Sequence, residues 1–401
     1  MLVGKHVLIG VSGGIAAYKI PYLVRLFKKA GAEVRCILSP SASSFVTPLT
    51  LATLSENEVH TELFNKETGT WTNHVELGLW ADLMVIAPLT ASTLSKLVVG
   101  HSDNLLMTTY LSAKCPIVVV PAMDLDMYAH PSTQENLSIL RKRGVYVIDA
   151  EDGALASGLT GQGRMPEPEQ IFAFTQFVLT QNSGKLSNKR VLVTAGPTYE
   201  PIDPVRFIGN HSTGKMGIAV AEAFAMEHAE VVLILGPTNE KILDLPNIQI
   251  VRVQSALEML NEVQRYWSNS DIGIFSAAVA DYRPLEKANE KIKKSEETFR
   301  IEFSKNPDLL AWAGQNKKEN QFLVGFALET ENEIENAQSK LKLKNLDLIV
   351  LNSLRHEGAG FGHDTNQVSF IAKNNKITTF ELLLKSKVAK NLVEYVIENI
   401  A

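Results

Sequence analysis

The chain opens an α/β unit twice. Residues 7–11 form a short apolar, β-branched run that breaks into Ser12-Gly13-Gly14-Ile15, and residues 191–195 form a second that breaks into Gly196-Pro197-Thr198. A buried strand delivered into a glycine turn is how a parallel nucleotide-binding sheet starts, and such a sheet presents its ligand at the carboxyl ends of its strands. Two openings within 401 residues predict two domains. The polar stretch 181–189 reads as the join, giving a first domain 1–182, a linker 183–188 and a second domain 189–401.

Composition removes several classes. Hydrophobic residues make up 45%, charged residues 21% and the net charge is -5, the profile of a globular chain with no nucleic acid to coat. Cys36 and Cys115 are the two cysteines, and neither lies in a CxxC pair, so neither a disulfide framework nor a zinc spacing is expected and a reducing cytosol suits the chain. No apolar run approaches the roughly 18 residues that span a bilayer, and Gly10, Ser12, Gly13 and Gly14 interrupt any signal-like core. A cytoplasmic protein without membrane contact is the expectation.

In the first half, a helix over 15–30 closed by Gly31 and a strand over 34–38 complete a βαβ unit. A dinucleotide fold needs GxGxxG and an acid ending the second strand. Here the glycines are Gly10, Gly13 and Gly14, and the strand ends in Ser39-Pro40, so a monophosphate such as that of FMN fits better than NAD. A strand over 82–87 runs into Pro88 to Thr93, a hydroxyl-rich loop that either holds a phosphate or flavin ring or simply caps a helix over 94–99. A strand over 117–120 ends in Pro121-Ala122-Met123-Asp124, ahead of a helix over 133–143. Asn73 is placed to cap a short helix that projects His74 from its first turn. Residues 154–168, with Gly158, Gly161 and Gly163, read as a mobile flap over this rim or as a plain surface loop, and a helix over 169–179 closes the unit.

In the second half, Gly209 to Lys215 fits GxxxxGK, but Met216 stands where a P-loop needs a hydroxyl, and the motif lies far beyond its strand. It reads instead as a polar loop capping a helix over 216–227, with free amides for an anion. Strands over 231–235, 248–253 and 272–276, with a helix over 256–267, predict a second parallel sheet. Asp281 follows the third strand, placed to hold a ribose, a base edge or a metal. A charge-rich excursion over 286–300 carries Lys291, Lys293 and Lys294. Residues 305–308 cap a helix over 309–314, a strand over 321–327 exposes Phe326, and a helix over 333–344 sets Lys340 and Lys344 four apart on one face. A strand over 347–351, a hairpin over 367–372 and 376–379 and a helix over 382–397 finish the chain. These residues by themselves leave a flavin or NAD oxidoreductase open.

The chain resembles, along essentially its whole length, the bifunctional phosphopantothenoylcysteine decarboxylase / phosphopantothenate-cysteine ligase family of coenzyme A biosynthesis. The matching stretches are GVSGGIAAYK from Gly10, His74, Ala81-Asp82 with Ala87-Pro88, Pro121-Ala122-Met123, Gly161 to Met165, AGPTYE from Ala195, Asn210 to Gly217, Ala277 to Asp281, Lys291 to Lys294, Lys305 to Asp308 and Lys344 to Asp347. The resemblance implies two three-layer doubly wound α/β domains, a flavoprotein-like parallel sheet followed by a Rossmann-like ligase domain with a terminal β-hairpin.

It further implies FMN contacts at Ser12, Gly13, Gly14, Ile15, Ser39, Phe45, Thr90, Ala91, Ser92, Thr93 and Ala122, with His74 as base and Asp124 and Ser157 beside the substrate. CTP contacts are implied at Ala277, Asp281, Lys291, Pro307, Asp308, Leu309, Leu310, Phe326, Lys340 and Lys344, with Asn210 and Lys291 acting on an acyl cytidylate. Magnesium is implied with no ligands assigned. So are phosphopantothenate and cysteine as substrates, and a homo-oligomer with trimeric contacts through the first domain and dimeric contacts through the second. Three positions depart from the pattern. Ser92 and Asp124 replace asparagines, and Ser157 replaces a cysteine proton donor. A serine hydroxyl is a far weaker acid than a thiol of pKa about 8.5. The departures allow a decarboxylase half that is altered or incomplete, and a flavoprotein regulatory subunit is the non-enzymatic alternative.

Overall fold

Uninterrupted apolar runs become strands covered on both faces, as parallel sheets require. The computed structural model describes all residues except 1, 65–68, 70, 182–183, 294–299, 330, 354–361 and 401. Lys294 lies outside the described residues. The chain divides into two compact units, Met1–Asn182 and Ser183–Ala401.

The first unit is built on β1 (His6–Val11), β2 (Glu33–Leu38), β3 (Val59–His60), β4 (Leu83–Leu89), β5 (Ile117–Pro121) and β6 (Tyr146–Val147), in the order β3-β2-β1-β4-β5-β6. Every pairing is parallel. The chain leaves β1 for one side of the sheet and later returns on the other side at β4, so the loops after these two strands diverge and leave a crevice between them. β4 is buried at every residue. A short hairpin, β7 (Glu151–Ala154) and β8 (Thr160–Arg164), follows the sheet.

The second unit repeats that order with β9 (Arg190–Ala195), β10 (Glu230–Leu235), β11 (Ile248–Arg252), β12 (Ile272–Phe275), β13 (Phe322–Glu329) and β14 (Leu348–Ser353). Its sheet runs β11-β10-β9-β12-β13-β14 in parallel and ends in two antiparallel strands, β15 (Val368–Ala372) and β16 (Ile377–Thr379). Trp267 anchors its core from the helix Ala256–Trp267. The indole is 1% exposed and donates to the Ala313 carbonyl at 3.0 Å. Gly273 of β12 makes the room, since a Cβ there would lie 2.5 Å from the ring.

Several elements differ from the sequence reading. The helix expected over 15–30 is a 3-10 turn, Ile15–Lys19, followed by an α-helix, Ile20–Lys29, because Pro21 lacks the N–H that would carry one helix through. The helix expected over 94–99 starts earlier, as Ala91–Val99, so Ala91, Ser92 and Thr93 form its first turn and only Thr90 is the cap. Helices Pro48–Ser55 and Leu105–Ser112 were not anticipated. Their sequences, PLTLATLS and LLMTTYLS, carry no clear polar face from which a helical period could be read.

Replacing Trp267 by alanine removes the largest fully buried side chain. It is expected to destabilise the second unit by about 3–5 kcal/mol, measured on that unit's transition in urea.

Candidate active sites

In the first unit a cavity of about 990 Å³ lies at the strand tips. Gly13, Gly14 and Ile15 line it from the β1 tip, Ser39 from β2, Thr90, Ala91, Ser92 and Thr93 from β4, Ala122 and Asp124 from β5, and Ser157 from the hairpin tip. Ser12 stands behind this wall, wholly buried. Its hydroxyl donates to the Pro88 carbonyl at 2.6 Å and accepts from the Thr90 amide at 3.1 Å, which ties the two central tips together.

The expected flap is a hairpin docked on the rim. The Met123 amide donates to the Gly163 carbonyl at 3.1 Å, and a Cβ on Gly163 would lie 2.3 Å from the Met123 carbonyl oxygen. That close approach is what the glycine supplies. Asp124 caps the helix Leu125–Ala129, its Oδ1 accepting from the Leu125 amide at 2.7 Å.

Besides Ser12, two expected residues stand outside this cavity. Phe45 is 44% exposed and does not line it. His74 also does not line it. It opens the helix His74–Trp80, where Asn73 Oδ1 caps by accepting from the Val75 and Glu76 amides. Its ring meets Trp71 edge-on at 5.6 Å, and its Nδ1 is buried without a partner.

Sequence reasoning missed the charged groups of the wall. Lys19 Nζ donates to the Met165 carbonyl at 2.8 Å and to Glu167 Oε1 at 3.0 Å, and Arg164 pairs with the same carboxylate. Lys96 pairs with Asp103 at 2.5 Å. The one signal was Lys19 itself, a lysine adjoining an apolar helical run. The wall fits the flavin mononucleotide expected there. The Ser39 hydroxyl is buried with no partner, and a Cβ on Gly13 would lie 2.2 Å from Ser41 Oγ, so that backbone is kept bare.

In the second unit a smaller cavity of about 110 Å³ lies at the strand tips. Ala277 and Phe326 line it, with Ser212 to Gly217 at the start of the helix Lys215–Met226, and with Asn352, Asn366 and Lys385. Asn210 joins this rim by donating to the Ala278 carbonyl at 3.0 Å. Lys215 pairs with Asp364 at 2.6 Å. Burial first, and Lys215 second, lower the pKa of Lys385 from the ordinary lysine value. From sequence Lys215 reads only as the end of a rejected P-loop match, and Lys385 is not singled out.

Asp281, Lys291, Pro307, Asp308, Leu309, Leu310, Lys340 and Lys344 do not line this cavity. Some of them are grouped elsewhere. Lys344 pairs with Asp308, the cap of the helix Leu309–Gln315, at 2.7 Å, and Lys340 pairs with Glu329 at 2.5 Å. Leu310 packs on Gly325, the neighbour of Phe326, where a Cβ would lie 2.6 Å from its Cδ2. Asp281 and Lys291 are exposed. Lys291 is held through its neighbour. The Ile292 amide donates to Asp203 Oδ2 at 3.2 Å, and its carbonyl accepts from Arg206 Nη2 at 3.0 Å. Among the described residues no group of three or more His, Cys, Asp or Glu is placed to hold a metal, and no helix is long and apolar enough to cross a membrane.

Two doubly wound α/β units, each with a hollow at its strand tips, define a two-site enzyme of the flavoprotein kind. Residues 1–180 match the flavoprotein family model, and residues 186–400 match the DNA/pantothenate metabolism flavoprotein C-terminal domain. The chain is 44% identical over 398 residues to the coenzyme A biosynthesis bifunctional protein CoaBC of Haemophilus influenzae, covering 98% of each. It is 42% identical over 397 residues to CoaBC of Bacillus subtilis, covering 98% of this chain and 97% of that one. A cysteine/cysteine sulfinic acid decarboxylase from an unknown prokaryotic organism is 50% identical over 357 residues, covering 88% of this chain and 99% of that one. The chain belongs to the CoaBC family of bifunctional coenzyme A biosynthesis enzymes.

Arg206 and its own hydrogen bonds hold the Asp203 carboxyl far below the ordinary aspartate range. The stability it contributes is therefore complete above the unfolded pKa of about 4 and is lost as pH falls below that value toward the folded pKa. Asp203→Asn is expected to lower the urea midpoint of the second unit at neutral pH. The gap from the wild type should narrow as pH drops below about 4, read from unfolding curves across pH.

Proposed function

We propose that the second unit joins 4'-phosphopantothenate to cysteine at the expense of CTP, through an acyl cytidylate, and that the first unit decarboxylates the product to 4'-phosphopantetheine with FMN. The domain limits follow as 1–182 for the decarboxylase and 189–401 for the ligase. The observation that carries the reading is the agreement of two independent rims with a family matched from end to end. The first rim is a large cavity walled by bare backbone and hydroxyls, and the second is a smaller one walled by amides and lysines.

In the first unit, Ser12, Gly13, Gly14, Ser39 and Thr90 to Thr93 would hold the flavin mononucleotide, with Ala122 against it. Bound there, the flavin supplies a reversible two-electron acceptor for the cysteine Cβ–sulfur unit, so that the electron pair of the breaking Cα–carboxylate bond has a destination. His74 is the base that takes the substrate proton. Ser157, at the hairpin tip, passes a proton through water to the product carbon, because its hydroxyl is too weak an acid to act as a thiol does.

His74 reaches a cavity through assembly. Phe64, Trp71, Val75 and Leu79 are exposed apolar residues on and beside its helix, and they favour an oligomer with trimeric contacts on this face. In the second unit Val205, Phe207, Tyr282, Leu285 and Phe303 are exposed on two small hairpins and favour dimeric contacts.

In the ligase reaction the phosphopantothenate carboxylate attacks the α-phosphate of CTP and pyrophosphate leaves; the cysteine amine then displaces CMP. Ala277, Asp281, Pro307 to Leu310 and Phe326 would hold the nucleotide. Lys291, Lys340 and Lys344 would neutralise its phosphates together with Mg2+, which such sites hold largely through the phosphates themselves. Asn210 orients the acyl cytidylate.

The direct test gives the purified, flavin-loaded chain CTP, Mg2+, phosphopantothenate and cysteine, and identifies products by mass spectrometry. Phosphopantetheine, CMP, pyrophosphate and CO2 are expected. Accumulation of phosphopantothenoylcysteine would leave only the ligase half standing. Gly13→Val places carbon against Ser41 and is expected to lower bound flavin about tenfold or more, read from the visible absorbance of the purified protein.

A further inference from the structure

The nucleotide-facing positions of the second unit lie on stretches well apart in sequence, Ala277 to Asp281, Lys291, and Pro307 to Leu310. A side chain outside that set stands where these stretches meet. Asn306 is 6% exposed. Its Nδ2 donates to the Ala280 carbonyl at 2.8 Å, and its backbone amide donates to the Asp281 carbonyl at 2.8 Å. Its Oδ1 accepts from Arg283 Nη1 at 3.1 Å, and the same guanidinium nitrogen donates to the Lys305 carbonyl at 2.8 Å.

The strands Tyr282–Pro284 and Phe303–Lys305 pair antiparallel with Tyr282 opposite Lys305, so the excursion that carries Lys291 returns beside its own start. A stem this short has little stability of its own. Asn306 and Arg283 close its foot. Immediately beyond Asn306 come Pro307 and then Asp308, the cap of the helix Leu309–Gln315. The Ala277 to Asp281 stretch is also held from its other side, where Asn210 donates to the Ala278 carbonyl and the Ala280 amide donates to Thr198 Oγ1 at 3.0 Å. A buried amide side chain whose donor and acceptor are both engaged leaves the segments it joins little freedom to shift against each other.

We infer that Asn306 is a positioning residue for the nucleotide, fixing Asp281 and the turn from Pro307 to Leu310 in one relative arrangement before CTP arrives. The inference rests on the ligase reading of the second unit. A ligand that contacts both stretches binds more tightly when their spacing is set in advance, because less ordering accompanies binding. Loss of the bridge leaves each stretch in place and frees the spacing between them, so the penalty falls on the nucleotide.

Asn306→Asp keeps the shape of the side chain and its acceptor for Arg283, but sets a carboxylate oxygen against the Ala280 carbonyl where an N–H stood. The test follows pyrophosphate release by the full chain with Mg2+ and cysteine present, varying CTP and phosphopantothenate in turn. The variant is expected to raise the KM for CTP about 30-fold and to change the KM for phosphopantothenate less than about threefold. A merely structural role would reduce the amount of active protein, lowering kcat and leaving both KM values alone. Calorimetric titration with CTP should show the same loss of affinity.

If Asn306→Asp does not fold, Arg283→Gln decides the matter. It removes the donor to Asn306 Oδ1 and to the Lys305 carbonyl while leaving the bonds to Ala280 and Asp281, and is expected to raise the KM for CTP about fivefold. An unchanged KM for CTP in the folded variant, or an equal rise for both substrates, overturns the inference while the ligase reading stands. A wild type that releases no pyrophosphate from CTP removes the ligase reading and the inference with it.

Discussion

A single buried hydroxyl joins the two central strand tips of the first unit. Ser12 donates to the Pro88 carbonyl and accepts from the Thr90 amide, and Thr90 in turn caps the helix Ala91–Val99. Divergence of the loops after β1 and β4 opens the crevice, and this hydroxyl fixes how far it opens. The residues expected to face the flavin are therefore set by backbone rather than by long side chains, which suits a flat, rigid group and costs little conformational entropy.

The second unit solves a different problem with the same strand order. Three of its lysines have carboxylate partners in the same unit, Lys215 with Asp364 at the cavity, and Lys340 with Glu329 and Lys344 with Asp308 away from it. Burial alone would raise the Asp308 carboxyl, but the Lys344 pairing and backbone donors outweigh it and hold it below the ordinary range.

What could be read from sequence follows from distance along the chain. The parallel strands were legible because both their faces are buried, leaving apolar runs that end in glycine or small polar residues. The rim residues Gly13, Gly14, Thr90 and Ala277 were legible because strand, turn and helix are consecutive. The wall charges were not, because Lys19 meets Glu167 across 148 positions and nothing in either neighbourhood announces the other. His74 marks a separate limit. Its helix cap could be read from Asn73, but the fold leaves it out of the lining of the first unit's cavity.

The hold on Ile292 has a consequence for how this enzyme can vary. Both its amide and its carbonyl are claimed, by a carboxylate and a guanidinium that lie three residues apart and are bound to each other. Strand pairing tolerates a slip of two residues, but a residue gripped at both ends tolerates none. Insertions and deletions between positions 206 and 292 must be absorbed in loops that leave this one peptide where it is. The lysine beside it then keeps its place while the surrounding sequence drifts.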